Sequence, residues 1–507
     1  MTSHATHKAV RNIFFSGVRL VIGSGAGIFT SAIIARTLGP ANMGVYGYAM
    51  WLVGTLGILA NIGLPAAIIK YVSEFIGSGD TAMAVRVGKR LLLMQLAVAG
   101  GISGLTACFV LLKTPYRGII VLAAVMLLAQ ALQQSLTSAL AGVQRFDQIA
   151  LIGVYVGLAQ IASVGIAVLL HSGVMGMLWA TLAALWMGVW LYYRAVNRCL
   201  LRLPAGSQRP SLSEQPDILR RITRFSFTIS YVLLLDTIVW QRSEVLFLKR
   251  YSTLGEIAFY TLAYSAASKL GDIASALSST LLPLYSESYG RDGLQQVGQI
   301  FKNALKYLQM VMVPLCLLAA AIARPLVQLL YGSKYIPSVL PLQILLVCQA
   351  FTSIGMVSSP LVMGTEKQGF IAKYGTAIAV LNIALDLMLI PRFGAIGAAS
   401  ANCAAQVAGV LGGTFYTVRY VRVHFPWKPT VAIYSATLIA LMPAAYLANR
   451  THSGIAALVG SIAVGAVLYS GMLVVVGELG RRDINILKTA LLSKVYTPKP
   501  LETANLA

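Results

Sequence analysis

Apolar residues come in long blocks along the chain, and short polar breaks separate them. Fourteen blocks stand out, near 12–35, 43–68, 91–112, 118–142, 149–170, 174–193, 225–248, 257–283, 307–328, 338–363, 370–390, 394–417, 429–448 and 454–477. A helix needs about 20 mostly apolar residues to cross a hydrocarbon core of about 30 Å. Each block meets that requirement, and the longer ones predict tilt or extension beyond the bilayer. The first block follows a short polar start and lacks a small-residue cleavage site, so it predicts a retained helix rather than a removed signal peptide. The pattern therefore predicts an all-α integral membrane protein with about fourteen transmembrane helices.

Composition agrees. Of 507 residues, 57% are hydrophobic and 11% charged, with a mean hydropathy of +0.76. Soluble domains carry about 25% charged residues, so this chain could not cover its own surface in water. The net charge of +23 would suggest nucleic acid in a soluble protein. Here the positive-inside rule accounts for it, and no nucleic-acid partner is predicted. With both termini cytoplasmic, twenty-seven of the 39 Lys and Arg fall on the cytoplasmic side and nine in outer loops. The remaining three, Arg19, Arg242 and Lys269, lie inside spans. Four cysteines (Cys108, Cys316, Cys348, Cys403) sit in apolar blocks and Cys199 in a cytoplasmic loop, with no spacing for metal or a disulfide framework. No cofactor is predicted.

The largest loop lies near Arg194–Arg224 and carries seven Arg, dividing the chain after the sixth span. An internal repeat supports the division. Arg36-Thr-Leu-Gly-Pro-Ala-Asn-Met-Gly-Val-Tyr46 follows the first span, and Arg250-Tyr-Ser-Thr-Leu-Gly-Glu-Ile-Ala-Phe-Tyr260 follows the seventh. Leu64-Pro65 and Leu282-Pro283 close the next span in each copy, and Ser73-Glu74 and Ser286-Glu287 lie beyond. Six spans separate the copies, so equivalent helices share an orientation. That predicts a parallel repeat about an axis along the membrane normal. The predicted units are an N-lobe over 1–223, a C-lobe over 224–425, two appended helices over 426–480, and a cytoplasmic tail over 481–507. Two six-helix lobes offer transport by rocking about a central cavity.

Ionisable residues within spans are costly and usually face a cavity or a partner. They are Arg19, Asp236, Arg242, Glu244, Lys269, Asp272 and Asp386. Arg19 is about 10 Å into the first span, where it can line the cavity or snorkel to the headgroups. Arg242 is deep in the seventh span, with Asp236 and Glu244 on another side of that helix. It is a candidate anion-binding residue or one half of an ion pair with a neighbouring helix. Lys269 and Asp272 are three apart and can neutralise each other. Asn382 and Asp386, four apart, can clamp helices or couple an ion. Guanidinium groups in a cavity suit phosphate oxygens, whereas membrane carboxylates suit cations.

Several runs resemble one family. Ala35–Tyr46 is similar to the first outer loop of polysaccharide-transport proteins of the multidrug/oligosaccharidyl-lipid/polysaccharide exporter superfamily. Ser358-Ser-Pro-Leu-Val-Met-Gly364 with Lys367 resembles the end of their tenth helix, and Pro325–Gly332 the loop after the ninth. Leu381-Asn-Ile-Ala-Leu-Asp-Leu-Met-Leu-Ile-Pro391 with Phe393–Ala399 resembles the junction of helices eleven and twelve. The resemblance covers nearly the whole chain. It implies a flippase that moves a polyprenyl-diphosphate-linked oligosaccharide from the cytoplasmic to the periplasmic leaflet of a bacterial inner membrane, for cell-surface polysaccharide such as O-antigen, capsule or exopolysaccharide. It also implies a cavity lined by spans 1, 2, 7 and 8, which points to Arg242 and Arg19, then Lys269 and Asp236, as substrate contacts. Asp386, Asn382, Asp272 and Glu244 are the candidates for ion coupling. A polysaccharide polymerase and glycosyltransferases are the implied protein partners. Lipid II flippases of the same plan typically carry arginines in helices 1, 2 and 8, and this chain has none in span 2.

Two rivals have different signatures. Drug/cation antiporters of the superfamily normally have twelve spans. A membrane polymerase or ligase needs catalytic residues on a substantial outer loop. Here the outer loops are short, Glu256 is their only acid, and His171 and His424 lie at opposite faces. No catalytic residue is predicted.

Overall fold

The computed structural model describes residues 2–77, 79–108, 117–201, 220–227, 230, 243–364, 369–450 and 455–479. The side chains of 2–24 and most of those in 276–295 lie outside the described set. The described elements are helical: α1 Thr2–Asn61, α2 Leu64–Gly77, α3 Thr81–Cys108, α4 Arg117–Gly142, α5 Phe146–Leu169, α6 Gly173–Val196, α7 Glu244–Tyr251, α8 Leu254–Ala321, α9 Ala323–Tyr331, α10 Val339–Thr352, α11 Gly355–Gly364, α12 Gly369–Tyr416, α13 Trp427–Arg450 and α14 Ile455–Val475. Among the described residues, nine helices are long and apolar enough to cross a membrane. The fold is an all-α, multi-pass membrane fold, and the helices coincide with the apolar blocks but do not always end with them.

Three expected pairs of spans run on as single elements. Spans one and two form α1, which bends at Gly39 (φ 70°, ψ 171°) and resumes at Pro40. The left-handed φ suits glycine, and Pro40 lacks only an N–H that the first turn of the resumed helix does not use. Spans eleven and twelve form α12, bent at Gly394 (φ 53°) just after Pro391. Span eight and span nine as far as Ala321 lie in α8, and the end of span nine lies in α9. Polar loop residues here are still helix formers, so hydropathy marks where the chain leaves lipid and not where its helix stops. Span ten, conversely, is split into α10 and α11 by a turn at Ser353–Ile354.

Packing follows the chain order. The core of α2, α3, α4 and α6 includes Ile68, Tyr71, Val72, Leu91, Leu140 and Tyr192. Residues 220–227 dock on α2, where Arg221 pairs with Glu74 at 3.0 Å and Lys70 Nζ lies 4.1 Å from the Phe225 ring. In the second half, Leu281, Tyr285, Phe301, Leu305 and Met312 of α8 share a core with Val357 and Leu361 of α11. Polar ties hold the last two helices to α8 and α10. Thr430 Oγ1 donates to Gln309 Oε1 (2.9 Å), Tyr434 Oη to the Ala350 carbonyl (3.0 Å), and Tyr469 Oη to the Met310 carbonyl (2.9 Å). Large apolar side chains such as Leu105 and Val467 project outward from the bundle, as lipid contact requires.

Among the described residues, α1 carries most of the packing of the first half on the second, and it does so near the Gly39 bend. Arg36 donates to the Leu329 and Leu330 carbonyls at the end of α9. Tyr335 Oη, on a buried side chain, donates to the Ala35 carbonyl at 2.8 Å. Gly44 lies against the backbone of Leu254, where a Cβ would collide with the Leu254 carbonyl. Ala32, Ile34, Leu38 and Met43 join one apolar core with Leu248, Ile257, Tyr335 and Leu342. This end of the molecule is closed.

Candidate functional site

A polar cage lies inside the second half, close to that closed end. Glu244 opens α7, Tyr260 stands on α8, and α12 supplies Asn382 and Asp386 before its bend and Asn402 after it. Thr253 caps α8 by accepting from the Glu256 N–H at 3.3 Å. The Glu256 carboxylate reaches the Ala395 N–H at 2.7 Å, so it caps the helix beyond Gly394 and anchors α12 to α8. That anchor fixes both arms of α12 around Glu244.

Glu244 is fully buried and accepts three side-chain hydrogen bonds. Tyr260 Oη donates to one carboxylate oxygen at 2.7 Å, and Asn402 Nδ2 to the other at 2.7 Å. Asn382 Nδ2 lies 3.4 Å from Glu244 Oε1 and 3.5 Å from Asp386 Oδ2, placing one amide between the two carboxylates. Gln406 Nε2 orients Asn402 by donating to its Oδ1 at 2.7 Å. Asp386 is also fully buried, and its Oδ1 has no hydrogen-bond partner. Among the described residues, no Lys or Arg forms an ion pair with either carboxylate.

Two carboxylates in a dry interior repel unless a cation or a proton lies with them. The carboxylate oxygens, with Asp386 Oδ1 unbonded, are the kind of donor that hard cations take. Among the described residues there is no cluster of three His, Cys, Asp or Glu side chains, the usual set for a tightly held transition metal.

The other residues singled out in the sequence fall elsewhere. Lys269 and Asp272 pair at 3.2 Å on α8, both side chains partly exposed. No hydrogen bond of the cage reaches them among the described residues. Arg242 and Asp236 lie outside the described residues, as does the side chain of Arg19, whose backbone is part of α1. Tyr260, Asn402 and Gln406 were not among the sequence candidates. Tyr260 had a signal, since it ends the repeated Arg-to-Tyr motif; Asn402 and Gln406 share one face of α12 at a spacing of four.

The first half carries a neutral counterpart. Tyr46 Oη lies 3.2 Å from Thr181 Oγ1, and Gln160 Nε2 donates to the same oxygen at 3.1 Å. Gln160 and Thr181 stand on the fifth and sixth spans as Asn382 and Asn402 stand on the eleventh and twelfth. Thr30 precedes Tyr46 by sixteen residues, the spacing of Glu244 to Tyr260. Thr30 Oγ1 is buried without a hydrogen-bond partner. The polar frame is repeated; the charge is not.

Comparisons with known proteins follow the same lines. The chain is 22% identical over 419 residues to the probable low-salt glycan biosynthesis flippase Agl15 of Haloferax volcanii, covering 80% of this chain and 83% of that protein. Its fold is similar to an inward closed structure of the lipid II flippase MurJ (TM-score 0.62, 17% identity), covering 94% of this chain and 99% of that one. It is also similar to an inward-facing multidrug resistance MATE family transporter of the MOP superfamily (TM-score 0.64, 17% identity), covering 80% of this chain and 98% of that one. Residues 252–465 match the family model for lipid II flippase MurJ. Residues 33–340, more than half of the chain, match the model for polysaccharide biosynthesis proteins, and the chain belongs to that family.

Proposed function

We propose that this chain is a flippase for a lipid-linked oligosaccharide, working by alternating access between two lobes and driven by a cation held in the Glu244–Asp386 cage. The family match and the likeness to the Haloferax volcanii flippase support the substrate class. The observation that supports the drive is the buried carboxylate pair with an unbonded Asp386 oxygen and, among the described residues, no Lys or Arg ion-paired with it. A sugar-diphosphate head group would meet basic residues in the cavity, for which Arg242 and Arg19 remain the candidates, with Lys269 and Asp236 behind them.

The Lys/Arg asymmetry supports an inner (plasma) membrane orientation with both termini cytoplasmic. In that orientation the Arg36–Tyr335 end faces outward and is shut. A transporter shut at its outward end would take substrate from the cytoplasmic leaflet. A polymerase and glycosyltransferases of the same pathway are the proposed protein partners.

The reading is tested with purified protein in vesicles and a fluorescent polyprenyl-diphosphate-linked oligosaccharide. Leaflet inversion should accelerate when a sodium or proton gradient is imposed. Unchanged inversion relative to protein-free vesicles, under both gradients, rules the reading out.

A further inference from the structure

Residue 47 and residue 261 directly follow the two repeat-equivalent tyrosines, so Gly47 and Thr261 are themselves equivalent. They meet across the contact between the halves. A Cβ built on Gly47 lies 2.9 Å from Thr261 Oγ1 and 3.7 Å from Thr261 Cβ. Thr261 is buried, and its hydroxyl donates within its own helix to the Ile257 carbonyl at 2.7 Å. The side chain therefore serves the contact by its shape alone. Contact between two repeat-equivalent residues is what a twofold repeat axis passing between them would produce.

Adjacent residues of a helix point about 100° apart. On α8, Tyr260 consequently faces the cage and Thr261 faces α1. Tyr260 is fully buried and bonded to Glu244 at 2.7 Å, so it cannot shift without breaking that bond or moving its helix. The same turn is fixed to α12 through Glu256 and Ala395. On α1 the equivalent Tyr46 reaches only neutral groups, Thr181 and through it Gln160. A change in the cage thus has a rigid route to the contact from one side only.

We infer that Tyr260 is the positioning residue that transmits the state of the Glu244–Asp386 cage to the contact between Gly47 and Thr261, making this pair a gate driven from the second half alone. The inference deepens the ion-coupling reading above and rests on it. Recruitment of Glu244 toward a bound cation changes its hydrogen bond to Tyr260. The turn carrying Thr261 then moves against Gly47, while the neutral frame around Tyr46 stays in place.

The test uses the full chain with its five native cysteines replaced, Gly47→Cys and Thr261→Cys introduced, and a protease site placed within 202–219. The Cβ separation of 3.7 Å matches the 3.5–4.5 Å of a disulfide, so copper-phenanthroline oxidation should join the two proteolytic fragments. Glu244→Gln should change the rate of joining by about fivefold or more, the lower range for coupled sites. Adding Tyr260→Phe should remove that change, and adding Tyr46→Phe should leave it intact. Each variant is checked for a single monodisperse peak. The four-way cycle of Glu244→Gln with Tyr260→Phe isolates the coupling even where a single substitution alters stability. No joining, no effect of Glu244→Gln, persistence of the effect in Tyr260→Phe, or its loss in Tyr46→Phe each overturns the inference. The rate in the unsubstituted cage is also read with and without sodium or an altered pH. A Glu244→Gln effect that depends on Tyr260, without a response to either ion, refutes ion coupling and sustains the lever.

Discussion

Tyr46 and Tyr260 hold the same place in the repeat and serve different frames. Around Tyr260 the second half gathers two carboxylates and two asparagines. Around Tyr46 the first half gathers a threonine and a glutamine. Beside its tyrosine, each frame draws on the last two spans of its half, Gln160 and Thr181 in one and Asn382 and Asn402 in the other. The two frames are alike in polar character, and among the described residues carboxylates appear in the second alone. Charge, and not polarity in general, sets the second frame apart from the first. A buried neutral group costs little once hydrogen-bonded, whereas a buried carboxylate is kept in a membrane only where something else holds it.

The comparison breaks most visibly at its charged centre. Glu244→Gln should lower gradient-driven flipping by about 100-fold, toward the upper range of coupling between sites, and Thr30→Val should leave it within about twofold. Vesicle inversion rates measured side by side decide this; equal losses would mean that the two frames are equivalent. A graft sharpens it next. In the Glu244→Gln background, Thr30→Glu should cost about 3–5 kcal/mol as an uncompensated buried charge. Sodium should recover part of that loss in a thermal-unfolding measurement. Recovery absent at every sodium concentration would show that the frame does not make a cation site by position alone. The smallest effect lies outside both frames. Lys269→Gln removes a partly exposed pair and should change stability by about 0.5 kcal/mol or less. A much larger drop in melting temperature would place Lys269 in the machinery.

The sequence made the membrane class and the spans legible because both are written in local apolarity. It misjudged continuity. Arg36–Asn42 reads as a polar loop, yet it is helical apart from the Gly39 bend, since polar residues with ordinary propensity extend a helix into water without cost. Glu244 and Asp386 were legible as costly charges within spans. Their company was not. Asn402 bonds to Glu244 across 158 residues of chain, and a neutral asparagine in an alanine-rich span carries little hydropathy signal. Only packing brings them together. Lys269 and Asp272 were readable as a pair because their spacing is local.

The meeting of Gly47 with Thr261 bears on how such a chain could arise. An ancestral dimer of identical single halves would have set the same residue on both sides of its axis. Two glycines there would leave a gap, and two threonines would crowd each other. A mismatched pair of one small and one larger residue becomes available only after the two copies are joined in one chain and free to diverge. Fusion, on this view, gave the axis a complementarity that symmetry had forbidden.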